Sequence, residues 1–548
     1  MNTCSKQQFL GGAMALTLST VIVKIIGLVY KIPLMRCLGA EGMGYFNSAY
    51  ELYTLFFVIA TAGIPVAISI MISENIAAGR VKNAERIYKT SFYLLLFIGC
   101  VGSVVMCFGA HILANAINSP KSAQALILVS PTVFFVSASG AVRGFFQGHR
   151  NMIPTAVSQI IESLGKLVLG ITFANIAKNF GLSSEKIAAY AILGLTVGTM
   201  ISTAYLCVVK SREKLTFENR LLDNSCDKSG KISAKLVKLA IPVTVSSVLV
   251  SLTRIVDMFM LMNRLGDNAD KISIYGSYST MALPVYNLPS SLVAGIALAL
   301  VPSITNAVNS RQKERENQLI TSGIKLCAVI SLPAALGIGV YSKQILGLLF
   351  AGENESIAIA APLLSVLGAS VFASCLVQVT NSVLQANGKI ICPIKSMLAG
   401  VAVKAISSFV LIAVPQVGAM GAPLSTLFCN VTAVAVNLLY IGRFSSFDLS
   451  LSKILLKPML VTTASVAASL GVYAVMMRLS LTDAVSFLIA LMTCAIVYFV
   501  SVLMCGVLDA EEYQMLPFGT KIMSKISLKE KEIKNEQRRK NHRAFEKV

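Results

Sequence analysis

The sequence contains no tryptophan and only three histidines, and only 13% of its 548 residues are charged. Soluble globular proteins carry about 25% charged residues. This chain therefore lacks the charged surface that a water-soluble fold of its length needs. Hydrophobic residues instead make up 55% of the chain, and its mean hydropathy is +0.73. The composition predicts a polytopic membrane protein.

The sequence also lacks the usual patterns of enzymes and metal sites. The 12 cysteines are scattered without a C-x-x-C pair, and His111, His149 and His542 do not cluster, so no metal or redox spacing is present. The chain has neither a phosphate-binding G-x-x-x-x-G-K-[ST] loop nor a G-x-S-x-G elbow. A membrane-embedded glycan transferase would need a catalytic histidine or carboxylate cluster. We expect no catalytic residue, no metal and no cofactor.

Fourteen apolar stretches reach the length of about 20 residues that a helix needs to cross a bilayer. They are continuously apolar, whereas the strands of a membrane barrel alternate in polarity. The predicted fold class is an all-α polytopic membrane protein with 14 transmembrane helices. The predicted spans are 8–30, 44–72, 90–114, 123–146, 153–177, 187–209, 236–262, 276–304, 324–350, 356–386, 394–414, 418–442, 454–476 and 484–507.

The formal net charge of +21 reflects an excess of lysine and arginine. With the N-terminus inside the cell, most of these residues fall in the inner loops and in the tail. This distribution predicts that both termini are cytoplasmic. The excess charge then determines topology and contacts anionic membrane lipids. We expect no nucleic-acid partner.

Two pairs of similar segments indicate an internal duplication. Residues 34–40 (LMRCLGA) match 261–267 (LMNRLGD), and residues 146–154 (FQGHRNMIP) match 384–393 (LQANGKIICP). Because order is kept and six spans separate the copies, we expect two pseudo-symmetric six-helix bundles around a central cavity, plus two C-terminal helices. The predicted domains are an N-terminal bundle (1–209), a basic cytoplasmic linker (210–235), a C-terminal bundle (236–442), helices 13 and 14 (443–508) and a basic cytoplasmic tail (509–548).

Six segments carry a resemblance to a known transporter family. They are 24–33 (KIIGLVYKIP), 38–42 (LGAEG), 61–69 (TAGIPVAIS), 73–74 (SE), 300–304 (LVPSI) and 385–388 (QANG). With these segments the chain resembles the multidrug/oligosaccharidyl-lipid/polysaccharide (MOP) exporter superfamily, in the branch of stage V sporulation protein B and MurJ-type lipid II flippases. The resemblance implies a two-lobed bundle that moves an undecaprenyl-diphosphate-linked saccharide to the outer leaflet of the bacterial cytoplasmic membrane.

The chain departs from this branch at its basic residues. In MurJ-type relatives several arginines of spans 1, 2 and 8 line the cavity. Here only Lys24 is basic among those positions, and Tyr30, the 56–57 region and the 283–284 region replace the others. The resemblance therefore implies that the diphosphate meets a different basic set, or that a different lipid-linked product is moved.

Seven charged residues are predicted to lie near the bilayer centre, where each costs about 2.5–3.5 kcal/mol unless it faces a cavity or a partner. They are Lys24, Glu51, Glu162, Lys166, Arg254, Asp257 and Lys404. A purely structural scaffold gives no reason to keep them. Glu162 and Lys166 lie four residues apart, and Arg254 and Asp257 three apart, which predicts two intrahelical charge pairs. Each pair either joins helices or takes part in ion coupling, and Glu51 is either functional or interfacial.

The predicted substrate-binding residues are Lys24, Lys31, Arg254 and Lys404. Lys31 follows Lys24 by seven residues on one helix face, and the repeat places Lys24 opposite Ser251, one turn from Arg254. Lys24 and Arg254 are thus expected to face each other across the pseudo-symmetry axis and to bind a diphosphate. Snorkelling of Lys24 and Lys31 to the membrane surfaces is the alternative.

These patterns together favour a flippase for a lipid-linked saccharide, with lipid II as the preferred substrate. Alternatives are a flippase of another lipid-linked polysaccharide unit and a cation-coupled antiporter of small drug-like molecules. An antiporter would want an acidic, aromatic-lined cavity. Coupling to Na⁺ or H⁺ through Asp257 is left open, with a counter-ion to Arg254 as its other role. Partners expected besides the substrate are anionic lipids and cell-wall synthesis enzymes, in growth or in sporulation.

Overall fold

The computed structural model describes residues 3–212, 227–266, 270–444, 451–508 and 512. Within these ranges the chain forms 17 α-helices and no strand, which confirms the all-α prediction. The helices are α1 (Thr3–Thr61), α2 (Ile64–Ala77), α3 (Val81–Phe108), α4 (Ala110–Ala116), α5 (Ala123–Gly148), α6 (Ile153–Asn179), α7 (Ser184–Arg212), α8 (Ser229–Arg264), α9 (Lys271–Ser277), α10 (Leu283–Asn309), α11 (Lys313–Val340), α12 (Ser342–Leu349), α13 (Asn354–Ala386), α14 (Ile391–Ala413), α15 (Gly421–Phe444), α16 (Leu451–Arg478) and α17 (Asp483–Met504).

Among the described residues, 13 helices are long and apolar enough to cross a membrane. The protein is therefore a multi-pass membrane protein, and the predicted count of fourteen is approximate. Helix α1 accounts for the difference. Its 59 residues would extend about 88 Å at 1.5 Å per residue, against a hydrocarbon core of about 30 Å. The backbone leaves the helical conformation at Gly39, where φ is +68°, so α1 holds the first predicted span and part of the second.

The residues divide into two compact units, of which the first comprises Met1–Val285, Ile345–Leu367 and Ile390–Ala433. In this unit α6 lies along α7 with glycines facing each other. A Cβ atom at Gly194 would collide with the backbone of Gly170, and one at Gly165 would collide with Gly198. Close backbone approach at small residues is a common way for membrane helices to associate, because lipid removes most of the hydrophobic driving force.

An apolar cluster in the first unit fixes the ends of helices α2 and α5. Ile68 of α2, Phe145 of α5 and Leu236 of α8 are fully buried within it. Gly144 and Gly148 on α5 allow α2 to approach, since a Cβ atom at either position would press on Ile68 or Ile72. The turn that follows α5 is therefore held firmly against α2.

The second unit comprises Tyr286–Gln344, Gly368–Lys389 and Val434–Val548. Its helices α11, α16 and α17 pack together around Leu326, Val461 and Val502. Lys325 of α11 forms a 2.9 Å ion pair with Glu512, the one described residue beyond 508. The predicted domain division follows the internal repeat and stays a prediction, as does the basic tail, which lies outside the described residues except for position 512.

Candidate functional site

A π-helical turn, Tyr278–Ala282, joins α9 to α10 within the first unit. Such turns are rare and often occur at functional sites, because they leave backbone carbonyls free of the regular α-helical pattern. Side chains from α1 and α8 contact this turn through three hydrogen bonds. They run from Lys31 Nζ to the Ser279 carbonyl (2.8 Å), from Asn47 Nδ2 to Thr280 Oγ1 (2.7 Å) and from Tyr278 OH to Asp257 Oδ2 (3.3 Å).

Asp257 of α8 forms a buried ion pair with Lys404 of α14. The Lys404 ammonium lies 2.8 Å from Asp257 Oδ2 and also donates to Thr426 Oγ1 at 2.7 Å. Only 2% of the Lys404 side chain and 3% of the Asp257 side chain are exposed. The predicted partner of Asp257 within its own helix was Arg254, and the structure instead pairs Asp257 with a cation of another helix. Lys404, predicted to bind substrate, is sealed in this contact.

Arg254 turns away from Asp257 and toward α1. Its guanidinium lies 3.8 Å from Glu51 Oε1, and 42% of the Arg254 side chain is exposed against 10% of the Glu51 side chain. Arg254 and Asp257 lie three positions apart on α8, which is enough to direct the two side chains at different neighbouring helices. Glu51 Oε2 is buried and accepts no hydrogen bond from any described residue. The Arg254–Glu51 contact is therefore loose and incomplete.

Lys166 has no carboxylate partner in the described part of the chain. Glu162, its predicted partner on α6, instead pairs with Arg143 of α5 at 2.8 Å, and Arg143 Nε donates to Ser158 Oγ at 3.0 Å. The forked guanidinium can bind both oxygens at once, which a lysine cannot do. The Lys166 ammonium lies instead over the aromatic rings of Tyr50, at 4.1 Å from the centroid, and Tyr30, at 5.2 Å, an attraction to the ring faces.

Lys31 lies within electrostatic reach of Glu51, Lys166 and Arg254, and we call these four residues the cation cluster. The cluster therefore brings three positive groups from α1, α6 and α8 to one negative group inside the membrane-spanning part of the first unit. Chemically it can attract an anion, because one carboxylate cannot neutralise three cations and low polarity strengthens the attraction.

Lys24, the remaining predicted substrate residue, lies apart from this cluster. It is exposed between Val21 and Ile25, which are 49% and 57% exposed. Seven helical residues place it about 10 Å along the helix from Lys31. In the described ranges no ion pair joins Lys24 to Arg254, so the expected convergence of these two residues is not observed. Its role in binding stays a prediction.

Arg143 was not among the site residues predicted from the sequence. It lies inside the predicted span 123–146, and counting every charge between those limits would have found it. The role of Tyr50 as a support for Lys166 was also missed, and spacing alone gives no signal for it. Among the described residues, no group of three or more His, Cys, Asp or Glu side chains is arranged to hold a metal ion.

Comparison with known proteins identifies similar chains. A family model described as polysaccharide biosynthesis protein matches residues 9–308, more than half of the chain, and the MatE model matches residues 242–410. The lipid II flippase MurJ of Bacillus subtilis is 25% identical over 459 residues, which cover 80% of this chain and 84% of MurJ. Stage V sporulation protein B of Bacillus subtilis is 24% identical over 428 residues, 77% of this chain and 81% of that protein.

A solved structure of lipid II flippase MurJ in an inward closed conformation has the same fold. It superposes with a TM-score of 0.70 at 15% sequence identity, covering 89% of this chain and 98% of the MurJ chain. At this identity the likeness establishes the fold alone.

Proposed function

The chain belongs to the polysaccharide biosynthesis protein family within the MOP exporter superfamily, and on this premise we propose that it flips an undecaprenyl-diphosphate-linked saccharide across the bacterial cytoplasmic membrane. The substrate we propose is the peptidoglycan precursor lipid II. The names of two relatives, a lipid II flippase and a sporulation protein, support a product of cell-wall synthesis. Translocation by alternating access requires no covalent chemistry, so we propose a transporter and not an enzyme.

The observation that carries this proposal is the cation cluster. Arg254 is 42% exposed, and its contact with the Glu51 carboxylate is long, at 3.8 Å. An incoming diphosphate can therefore bind its guanidinium in a shorter, bidentate contact. Lys166 is held over aromatic rings, and its ammonium can add a phosphate oxygen without breaking an ion pair. Lys24, exposed nearer the chain's N-terminus, is proposed as an earlier contact for the headgroup.

Lys31 would connect binding to movement. Its ammonium donates to the Ser279 carbonyl of the π-helical turn, and a phosphate oxygen would compete for the same donor. Release of this bond would leave the turn free to change its helical pattern between α9 and α10. Asp257 and Lys404 are assigned a structural role, because their side chains are almost fully buried against each other.

Orientation, energy and partners complete the proposal. We propose that both termini are cytoplasmic, following the distribution of basic residues, and that anionic lipids and cell-wall synthesis enzymes are its partners. A charged intermediate would respond to the membrane potential by about 2.3 kcal/mol per charge per 100 mV. Coupling to Na⁺ or H⁺ is the alternative source of energy.

A second candidate is a cation-coupled antiporter of small drug-like molecules. The match of the MatE model to residues 242–410 favours it. The cation cluster opposes it, because a cationic drug would be repelled by three positive side chains that face one carboxylate.

Flipping of fluorescent lipid II in reconstituted vesicles, beside efflux of a cationic dye, separates the two candidates. We expect wild-type protein to flip lipid II and to leave the dye in place. Arg254→Gln and Lys166→Gln should each slow flipping about tenfold, the value of one charge-assisted hydrogen bond of about 1.4 kcal/mol. Lys89→Gln is the matched control, since Lys89 lies on the surface beside Glu85. Dye efflux without lipid flipping would contradict the proposal.

A further inference from the structure

The turn between α5 and α6 has a counterpart in the turn between α13 and α14. In the first turn the N–H groups of residues 149, 150 and 151 donate to carbonyls four, three and five residues back. The N–H groups of residues 387, 388 and 389 do the same in the second turn. In each turn a hydroxyl also donates to the carbonyl of the residue before these three. Ser73 donates to the Gly148 carbonyl (2.9 Å), and Thr305 donates to the Ala386 carbonyl (3.2 Å). The two turns are equivalent, as the repeated segments 146–154 and 384–393 predict.

The two turns differ at one strained position. Both need a residue in the left-handed conformation, and the second turn uses Gly388 with φ of +72°. The first turn uses Arg150 with φ of +60°. Side chains rarely adopt this conformation, whereas glycine adopts it freely. The first turn therefore carries a cationic side chain at the position where the equivalent turn has none.

The Arg150 side chain borders a cavity of about 430 Å³. The cavity lies between the end of α2, which supplies Ser73, Ile76 and Ala77, and the turn formed by Gly148, His149 and Arg150. Ligand pockets in proteins commonly have volumes of about 300–1,000 Å³. The turn joins two helices that are long and apolar enough to span a membrane, so the cavity lies at the level of lipid headgroups.

The lining of this cavity combines apolar and cationic groups. Ile76 and Ala77 present apolar surface, and exposed Arg150 makes no ion pair with any described residue. The His149 ring packs on Phe145 at 4.1 Å between centroids, and the ammonium of Lys210 lies 3.9 Å from the centroid of the same Phe145 ring. An apolar wall beside the guanidinium of Arg150 matches a lipid, whose phosphate adjoins its hydrocarbon chain.

We propose that this cavity binds the phosphate group of an anionic membrane lipid through Arg150. The site lies outside the cation cluster and is independent of transport. The phosphate can come from an anionic phospholipid of the bilayer or from the diphosphate of a lipid-linked saccharide. The equivalent turn of the second repeat carries Gly388 in place of the arginine.

Replacement of Arg150 by the residue of the second repeat tests the proposal without threatening the fold. Arg150→Gly removes the cation and relieves the left-handed strain, so thermal stability should be at least that of wild type. The matched control is Arg311→Gly, because Arg311 is also an exposed arginine with positive φ, +55°. Arg150→Lys retains the charge and should bind nearly as well as wild type.

Lipid binding to full-length protein in detergent is measured by native mass spectrometry, with phosphatidylglycerol, undecaprenyl diphosphate and phosphatidylcholine as separate probes. We expect at least one of the two anionic lipids to bind wild type, and Arg150→Gly to bind it about fivefold more weakly, the value of one interfacial arginine. Binding of phosphatidylglycerol alone would identify a bilayer phospholipid as the source of the phosphate, and binding of undecaprenyl diphosphate alone would identify the lipid-linked saccharide. Equal binding of Arg150→Gly and wild type, an equal loss in Arg311→Gly, or no preference over phosphatidylcholine would overturn the proposal.

Discussion

The buried Asp257–Lys404 pair is the ion pair whose disruption should cost the protein most stability. In Lys404→Met the Asp257 carboxylate keeps only the 3.3 Å hydrogen bond from Tyr278, because its Oδ1 already has no partner. The side chains are 2–3% exposed, so water cannot replace the ammonium. Breaking such a pair costs about 3–5 kcal/mol, a large part of a typical folding free energy of about 5–15 kcal/mol.

Two further variants separate charge from packing. Asp257→Asn/Lys404→Met removes both charges, and its unfolding free energy should recover to within about 1–2 kcal/mol of wild type, since a neutral replacement of a buried pair is often tolerated. Lys235→Met is the matched control. The Lys235–Glu74 pair has the same 2.8 Å separation, but its side chains are 51% and 54% exposed, so its loss should cost less than about 1 kcal/mol.

Unfolding is followed by the helical circular dichroism signal in detergent, because the chain has no tryptophan to report fluorescence. Equal stability of Lys404→Met and Lys235→Met, or no recovery in the double variant, would contradict a dominant contribution of this buried pair. Flipping that persists in the double variant would also place any Na⁺ or H⁺ coupling outside Asp257.

Two other predictions concern packing and pH. Gly194→Ala should destabilise the protein by about 1–3 kcal/mol, because its Cβ atom collides with Gly170 and overpacking of this kind is costly. Gly337→Ala is the control, since its Cβ atom meets open space, and it should leave stability unchanged. Thermal melts of the two variants measure the difference. The hydrogen bond from Asn83, followed by Lys231, lowers the pKa of Asp227 below its ordinary 3.8, so its stabilising effect should be present above about pH 3.8 and vanish as pH falls through the lower folded-state pKa. The stability difference between wild type and Asn83→Ala, measured by melts from pH 6 to pH 3, should shrink at the acidic end, and a pH-independent difference would contradict this assignment.

The helices were predictable from sequence because each membrane span must be apolar over its whole length. The span count was approximate at α1, where a single glycine with positive φ bends one continuous helical segment. The polar residues around Gly39 lower the local hydropathy as a loop would, although the backbone on both sides of Gly39 stays helical. The internal repeat stays a prediction, and the turns at Arg150 and Gly388 share their hydrogen-bond pattern.

Charge partners were not predictable, because spacing along one helix says only which residues share a face. Asp257 forms an ion pair with Lys404, 147 residues away in the sequence, and Glu162 forms one with Arg143 on the preceding helix. Both choices depend on how helices pack against each other. The bond from Lys31 to the Ser279 carbonyl depends further on a π-helical turn, for which the sequence offers no evident signal.

The proposal that the cation cluster recognises a diphosphate is tested most directly by the affinity of purified protein for undecaprenyl diphosphate and for undecaprenyl monophosphate. Wild type should bind the diphosphate more tightly than the monophosphate. Lys166→Gln/Arg254→Gln should lose this preference, and Lys89→Gln should keep it. Equal affinity for the two lipids in wild type, or an unchanged preference in the double variant, would contradict recognition of a diphosphate by the cation cluster.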